Sequence, residues 1–184
     1  MSKPKEPLPA KLLIALIYKE MAAAQSGWMA IEKTWGALDF LSEVRPFDYT
    51  GYYEKEMGLP LYRRWATFRE LVPQDRLADI KWQALDLEKQ WLCDEKRRLN
   101  LDPGLLTAER LVLATGKNYS HRIYLGKGIF GDLTLVFTNG SYQPLPWTYP
   151  DYRDEPSIWM FNKIREKYLR EIADFGFRNA ELKE

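Results

Sequence analysis

RRLNLDPGLLTAERLVLATGKNYSHRIYLGKGIFGDLTL, residues 97–135, decides how the chain is read. Strand side chains alternate between two faces. From Lys117 to Leu125 one face then carries Lys117, Tyr119, His121, Ile123 and Leu125, and the other Asn118, Ser120, Arg122 and Tyr124. Gly126-Lys127-Gly128 suits a three-residue hairpin loop with Gly128 left-handed. Pairing Leu125 with Ile129 sets Arg122 opposite Asp132, His121 opposite Leu133 and Ser120 opposite Thr134. Asn139-Gly140 is a strong turn signal and returns the chain through Gln143. The pattern predicts a three-strand antiparallel meander. Its core face holds Ile123, Leu125, Leu133, Leu135, Phe137 and Tyr142, and its wet face Arg122, Tyr124, Asp132, Thr134, Ser141 and Gln143. That polar face is the first candidate site.

Working outward, KLLIALIYK (11–19) is a short apolar run that reads as a buried strand. Ser26 can cap a helix presenting Trp28, Ile31 and Trp35, with Gly36 at its end. Residues 39–46 read as a second strand, 46–60 as a long aromatic and acidic connection, and 61–71 as a third strand. After Pro73, Leu77, Ile80, Ala84, Leu87 and Trp91 mark one helical stripe. Leu99–Leu101 reads as strand, Asp102-Pro103-Gly104 as a turn, and Glu109–Thr115 as a buried strand. A last helix from Pro156 groups Ile158, Phe161, Ile164, Tyr168, Leu169 and Ile172.

The order up to Leu101 is β-α-β-β-α-β, a ferredoxin-like succession. The expected fold is therefore α+β: a single domain over 11–177, extended by the antiparallel meander and the final helix. Residues 1–10, with three prolines by Pro9, read as a flexible arm, and 178–184 as a fraying tail.

With 184 residues the chain can bury a real core, and its net charge of +1 argues against a strongly basic nucleic-acid footprint. One cysteine, Cys93, excludes an internal disulfide and fits a reducing cytoplasm. The run Leu12–Ile17 is too short for a signal peptide or a membrane span. Seven tryptophans and 11 tyrosines supply either a bulky core or stacking surfaces.

PFDYTGYYEKEMG (46–58), NLDPG (100–104), ATGKNYSHRIYLG (114–126) and WTYPDY (147–152) resemble, in order, motifs of an uncharacterised bacterial family, domain of unknown function 4416. The resemblance covers nearly the whole chain. It implies a bacterial, single-domain protein and supplies no activity and no catalytic residues. Asp132 stands where that family is expected to favour Glu, which keeps the charge.

His121, the only histidine, is the natural general acid or base, although its place on the apolar face equally suits a structural role. One histidine and one cysteine do not make a zinc site. Asp48, Glu56, Asp102, Asp132 and Asp151 can supply oxygens to Mg²⁺, as carboxylates on any surface can. Arg122 opposite Asp132 is either a cross-strand ion pair or an arginine positioned to grip a phosphate or carboxylate. Lys117, Arg97 and Arg98 add positive charge nearby, but Thr115-Gly116-Lys117 lacks the spacing of a phosphate-binding P-loop. Neither a Gly-x-Ser-x-Gly elbow nor a Ser/His/Asp order occurs.

Three functions follow. The first is binding of a small anionic ligand, a nucleotide or phosphorylated metabolite. Arg122, Lys117 and Arg98 would meet its charge, Asn100, Asp102, Asp132 and Thr134 orient it, and Tyr53 and Trp147 pack on it, with Glu56 and Asp151 beside them. The second is an enzyme on the same face with His121 or Asp102 as general acid–base, with or without Mg²⁺ on the carboxylates. The third is a protein- or RNA-contacting module, by analogy with ferredoxin-like sheets.

Overall fold

The computed structural model describes residues 3–181, with side chains as far as 174. Its strands are β1 (Ala10–Tyr18), β2 (Leu38–Leu41), β3 (Arg45–Pro46), β4 (Tyr62–Val72), β5 (Leu92–Cys93), β6 (Lys96–Arg97), β7 (Leu99–Leu106), β8 (Arg110–Thr115), β9 (Arg122–Gly126), β10 (Ile129–Thr138) and β11 (Ser141–Pro144). The helices are α1 (Met21–Trp35), α2 (Glu54–Met57), α3 (Leu77–Lys89), α4 (Pro150–Arg153) and α5 (Glu155–Glu181). Strands β5 and β6 form a small ribbon of their own. The rest make one nine-stranded sheet in the order β11-β10-β8-β7-β1-β4-β2, with β3 on β4 and β9 on β10. Every pairing among the described residues is antiparallel.

The sheet is the middle of three layers. On one face Leu12, Ile14, Leu16 and Tyr18 of β1 meet Trp28 and Ile31 of α1 and Ile80, Ala84 and Leu87 of α3. On the other, Leu13 and Ala15 meet Phe161, Ile164 and Tyr168 of α5. Further along that second face Ile17 packs under Phe47, Met57 and Leu61. Because both faces of β1 are covered, the strand is an unbroken apolar run rather than an alternating one. Lys11 is its exception, fully buried and held by Asp39, Glu171 and the carbonyl of Phe68.

Several expectations need correction. Helix α1 starts at Met21, so Ser26 lies inside it and bonds Ala23 O rather than capping it; Ala22–Ala24 carry the helix further back by propensity. The second strand is broken at Ser42, giving β2 and β3, both laid on β4. Asp102-Pro103-Gly104 does not turn: it runs straight through β7, beside Ala15, Ile14 and Leu13. The turn comes later, where Thr107 N bonds Arg110 O and Thr107 Oγ1 bonds Glu109. Gly104 is required within β7, since a Cβ would stand 2.7 Å from Leu113 Cδ2 and 2.9 Å from Val112 O of β8.

The meander also departs from its expected form. Arg122 does face Asp132, and Asn139-Gly140 does turn with both residues at positive φ. The first loop is tighter, with Gly126 paired to Ile129. Residues 117–121 are not strand, so His121 and Ser120 enter no ladder. Strand β10 gives one whole edge to β8, and β9 and β11 follow one another along its other edge. A bulge at Thr134 shifts the register between Leu133 and Leu135. The extra residue reverses the alternation. Asp132, opposite Leu113, and Leu135, opposite Leu111, therefore share the α5 face. The expected faces are accordingly reversed in part: Asp132 and Thr134 are buried, while Ile123 is 71% exposed.

Residues 3–9 precede β1 without regular structure; Leu8 O accepts from Gln74 and Pro9 O from Tyr168. The tail read from Arg178 lies beyond the described side chains, and 182–184 lie outside the described residues.

Candidate functional site

Pro103 has no N–H to give a neighbouring strand. The β7–β8 ladder ends beside it, pairing only Gly104–Leu106 with Leu111–Leu113. Upstream the two strands part, and α3 fills the opening from the far side of the sheet. Glu88 Oε1 accepts from Leu101 N at 2.6 Å, and Lys81 Nζ donates to Leu101 O at 2.9 Å. Buried backbone groups that lost a strand partner are thus satisfied by side chains. On the α5 face Asn100 and Asp102 project beside Ile17 and Ala15. The segments holding Phe47–Tyr53 and Tyr149–Tyr152 line the same space, a cavity of about 610 Å³.

Arg63 of β4 forms the deep wall. It is 4% exposed, lies 4.8 Å over the Phe47 ring, and its Nη2 stands 3.0 Å from Asp151 Oδ2. Its Nη1 is 3.8 Å from Asp102 Oδ2, and neither Nε nor Nη1 has a hydrogen-bond partner. Burial works against the charge of Arg63, but the Asp151 and Asp102 carboxylates beside it outweigh this and hold its pKa above the ordinary value. Burial pushes the Asp151 carboxyl up, and Arg63 only partly offsets this. Burial, with Asp102 beside it, likewise raises the Tyr53 phenol.

Asp102 sits among donors: Asn100 Nδ2 at 2.8 Å from Oδ2 and Lys81 Nζ at 3.5 Å from Oδ1. Asn100 is fixed in turn by Arg97 Nη1 at 2.7 Å, and Arg97 is gripped by both oxygens of Glu56, each at 2.7 Å. Hydrogen bonds from Arg97 keep the Glu56 carboxyl below its ordinary range.

Opposite, Asp132 Oδ2 accepts from Arg122 Nε at 2.8 Å and lies 3.3 Å from His121 Nε2. Arg122 also donates to Lys117 O and Tyr149 OH, both at 2.9 Å. His121 stacks on Trp147 with centroids 4.7 Å apart, and Trp147 Nε1 donates to Leu133 O. Lys117 stands exposed, its Nζ 2.9 Å from Tyr52 OH and 4.1 Å above that ring.

Of the residues singled out in the sequence, Tyr53, Asn100, Asp102, Lys117, Asp132 and Asp151 line this one cavity. Arg122 and His121 stand behind Asp132 and hold it; His121 is not on an apolar sheet face. Thr134 is buried beneath, bonded to Asp132 O and Thr148. Glu56 serves Arg97, and Trp147 serves His121. Arg98 lies apart, 3.7 Å from Glu20 in a smaller hollow with Cys93. Among the described residues no three His, Cys, Asp or Glu gather as metal ligands.

Sequence reasoning passed over Arg63 and Lys81. The signal for Lys81 was present: Leu77, Lys81, Ala84 and Glu88 share one helical stripe, and all are buried. Arg63 alternates with Trp65 and Thr67 on a face that proves to be core.

Among the described residues no helix is long and apolar enough to cross a membrane. No curated protein and no solved structure matches the chain. A family profile matches residues 8–168, and on that match the chain belongs to the family described as Domain of unknown function (DUF4416).

Proposed function

We propose that the chain binds a small anionic ligand, a nucleotide or phosphorylated metabolite, in the cavity between the parted strands and their tyrosine roof. The observation that carries this reading is the group of cations on the wall, Arg63, Lys81, Arg97 and Lys117, three of which have acidic partners and one of which has none. Lys117, at the exposed rim, is the one without an ion pair among the described residues. The unpartnered Arg63 N–H groups add donors at depth. The tyrosines offer rings for packing. The binding place moves from the open face of the meander to the enclosed space beneath it. A bacterial and cytoplasmic setting is part of the proposal, supported by the family resemblance and by a lone free cysteine. The sheet order β7-β1-β4-β2, antiparallel with α1 and α3 on one face, supports the ferredoxin-like succession.

The test is thermal unfolding followed by tryptophan fluorescence against a panel of phosphorylated metabolites and nucleotides. A ligand at a hundred times its Kd adds about 2.7 kcal/mol. That gain should shrink in Lys117→Ala. If no anion in the panel stabilises the protein, the reading falls.

An enzyme working in the same cavity is the second reading. Asp151 favours it, as a buried carboxyl whose raised pKa suits proton donation. Asp102, between Lys81 and Arg63, is the candidate base. Asp102→Asn should then reduce turnover far more than it reduces binding, and unchanged turnover would remove Asp102 from the mechanism.

A further inference from the structure

The charges of the cavity are unevenly spent, and their distribution narrows the ligand class on the basis of the binding reading above. Arg63 faces Asp151 at 3.0 Å, Lys81 faces Asp102 at 3.5 Å, and Arg97 is locked to Glu56 at 2.7 Å. Only Lys117 keeps its charge for a newcomer, and it stands at the mouth beside the Tyr52 hydroxyl. The interior is lined by Asp102, Asp132 and Asp151, which repel any further negative charge brought in beside them. A chain of two or three phosphates would need several more cations or a metal held by the protein. A Mg²⁺ ion carried in with such a chain would meet Asp102, Asp132 and Asp151 already engaged by Lys81, Arg122 and Arg63.

What the interior does offer is paired hydrogen-bond chemistry. Ionised carboxylates only accept, and a guanidinium only donates. The Arg63 Nε and Nη1 donors, on a side chain 4% exposed, make no hydrogen bond, and Asp151 Oδ2 makes none beyond its ion pair with Arg63 Nη2. Asn100 is held by Arg97 with its amide aimed at Asp102, so the two are oriented before anything binds. A hydroxyl group is the neutral partner that both donates to a carboxylate and accepts from a guanidinium. The ring faces of Tyr49, Tyr52 and Tyr53 suit the C–H surface of a compact polyol, and about 610 Å³ accommodates one.

We infer that the ligand is a hydroxylated molecule bearing one phosphate group, of the sugar-monophosphate class. Its phosphate sits at Lys117 and its hydroxyls meet Asp102, Asn100 and Arg63.

The experiment compares the thermal shift from ribose 5-phosphate, glucose 6-phosphate, ribose, inorganic phosphate, pyrophosphate and ATP. A sugar monophosphate should stabilise more than ribose, phosphate, pyrophosphate or ATP. Lys117→Met should weaken its binding by about tenfold or more, as loss of a charged hydrogen bond does. Asp102→Asn, checked to unfold cooperatively without ligand, should bring the sugar phosphate towards the level of inorganic phosphate. If ATP or pyrophosphate stabilises as well as either sugar phosphate, the narrowing is overturned while anion binding stands. If no member of the panel shifts the transition, both fall.

Discussion

Lys81 and Asp102 approach to 3.5 Å although one belongs to a helix beneath the sheet and the other projects above it. The contact exists because β7 and β8 part at Pro103, leaving an opening that the ammonium enters on its way to Leu101 O. Lys81→Met should therefore leave a buried carbonyl bare and cost ~1–3 kcal/mol. Urea unfolding checks this. A change indistinguishable from a surface substitution would mean that water takes the place of the ammonium.

Gly104 should tolerate no side chain. In Gly104→Ala the new methyl would meet Val112 O, a backbone atom held by the ladder, as well as Leu113. Overpacking of this kind costs ~1–3 kcal/mol. The expected result is a lower denaturation midpoint with an unchanged slope, and a neutral substitution would show that β7 and β8 can slide apart there.

Stability should fall in acid through Asp39. Burial works to raise its pKa, but hydrogen bonds from Lys11, Lys167 and Thr67 outweigh it and leave the carboxyl below its ordinary 3.8. A depressed folded pKa contributes stability that is present above the unfolded value and lost as pH falls through the folded one. Asp39→Asn should flatten the stability–pH curve below about pH 4. At neutral pH it should cost ~3 kcal/mol by taking a carboxylate from the buried Lys11. Equal acid slopes in the two proteins would assign the loss to other carboxylates.

Arg122 ties Asp132 to Lys117 O and Tyr149 OH. Arg122→Ala leaves a 3%-exposed carboxylate facing His121 alone, at a cost of ~3 kcal/mol. Arg122→Lys should recover only part, because an ammonium cannot span the three directions of the guanidinium fork. Full recovery by lysine would show that charge, not shape, matters. Near-UV circular dichroism, which reads the Trp147–His121 stack, should change with the loss.

Features under short-range control are legible in the residues alone. The apolar run of β1, the stripe of α3 and the positive-φ turn at Asn139-Gly140 are each written in adjacent or helically spaced residues. Arg122 facing Asp132 was legible for the same reason, because one hairpin joins them. Other features depend on groups far apart in the chain. Asp102-Pro103-Gly104 has the composition of a turn, yet β1 pairs with it residue by residue and keeps it extended. The bulge at Thr134 follows from fitting β10 against β8, and one extra residue moves Asp132 from the expected wet face to the buried one. The cavity joins residues 47–53, 63, 81, 97–102, 113–117, 132 and 149–152. Only tertiary structure decides that assembly, since burial, lost strand partners and opposed charges are properties of packed neighbours, and no local spacing records them.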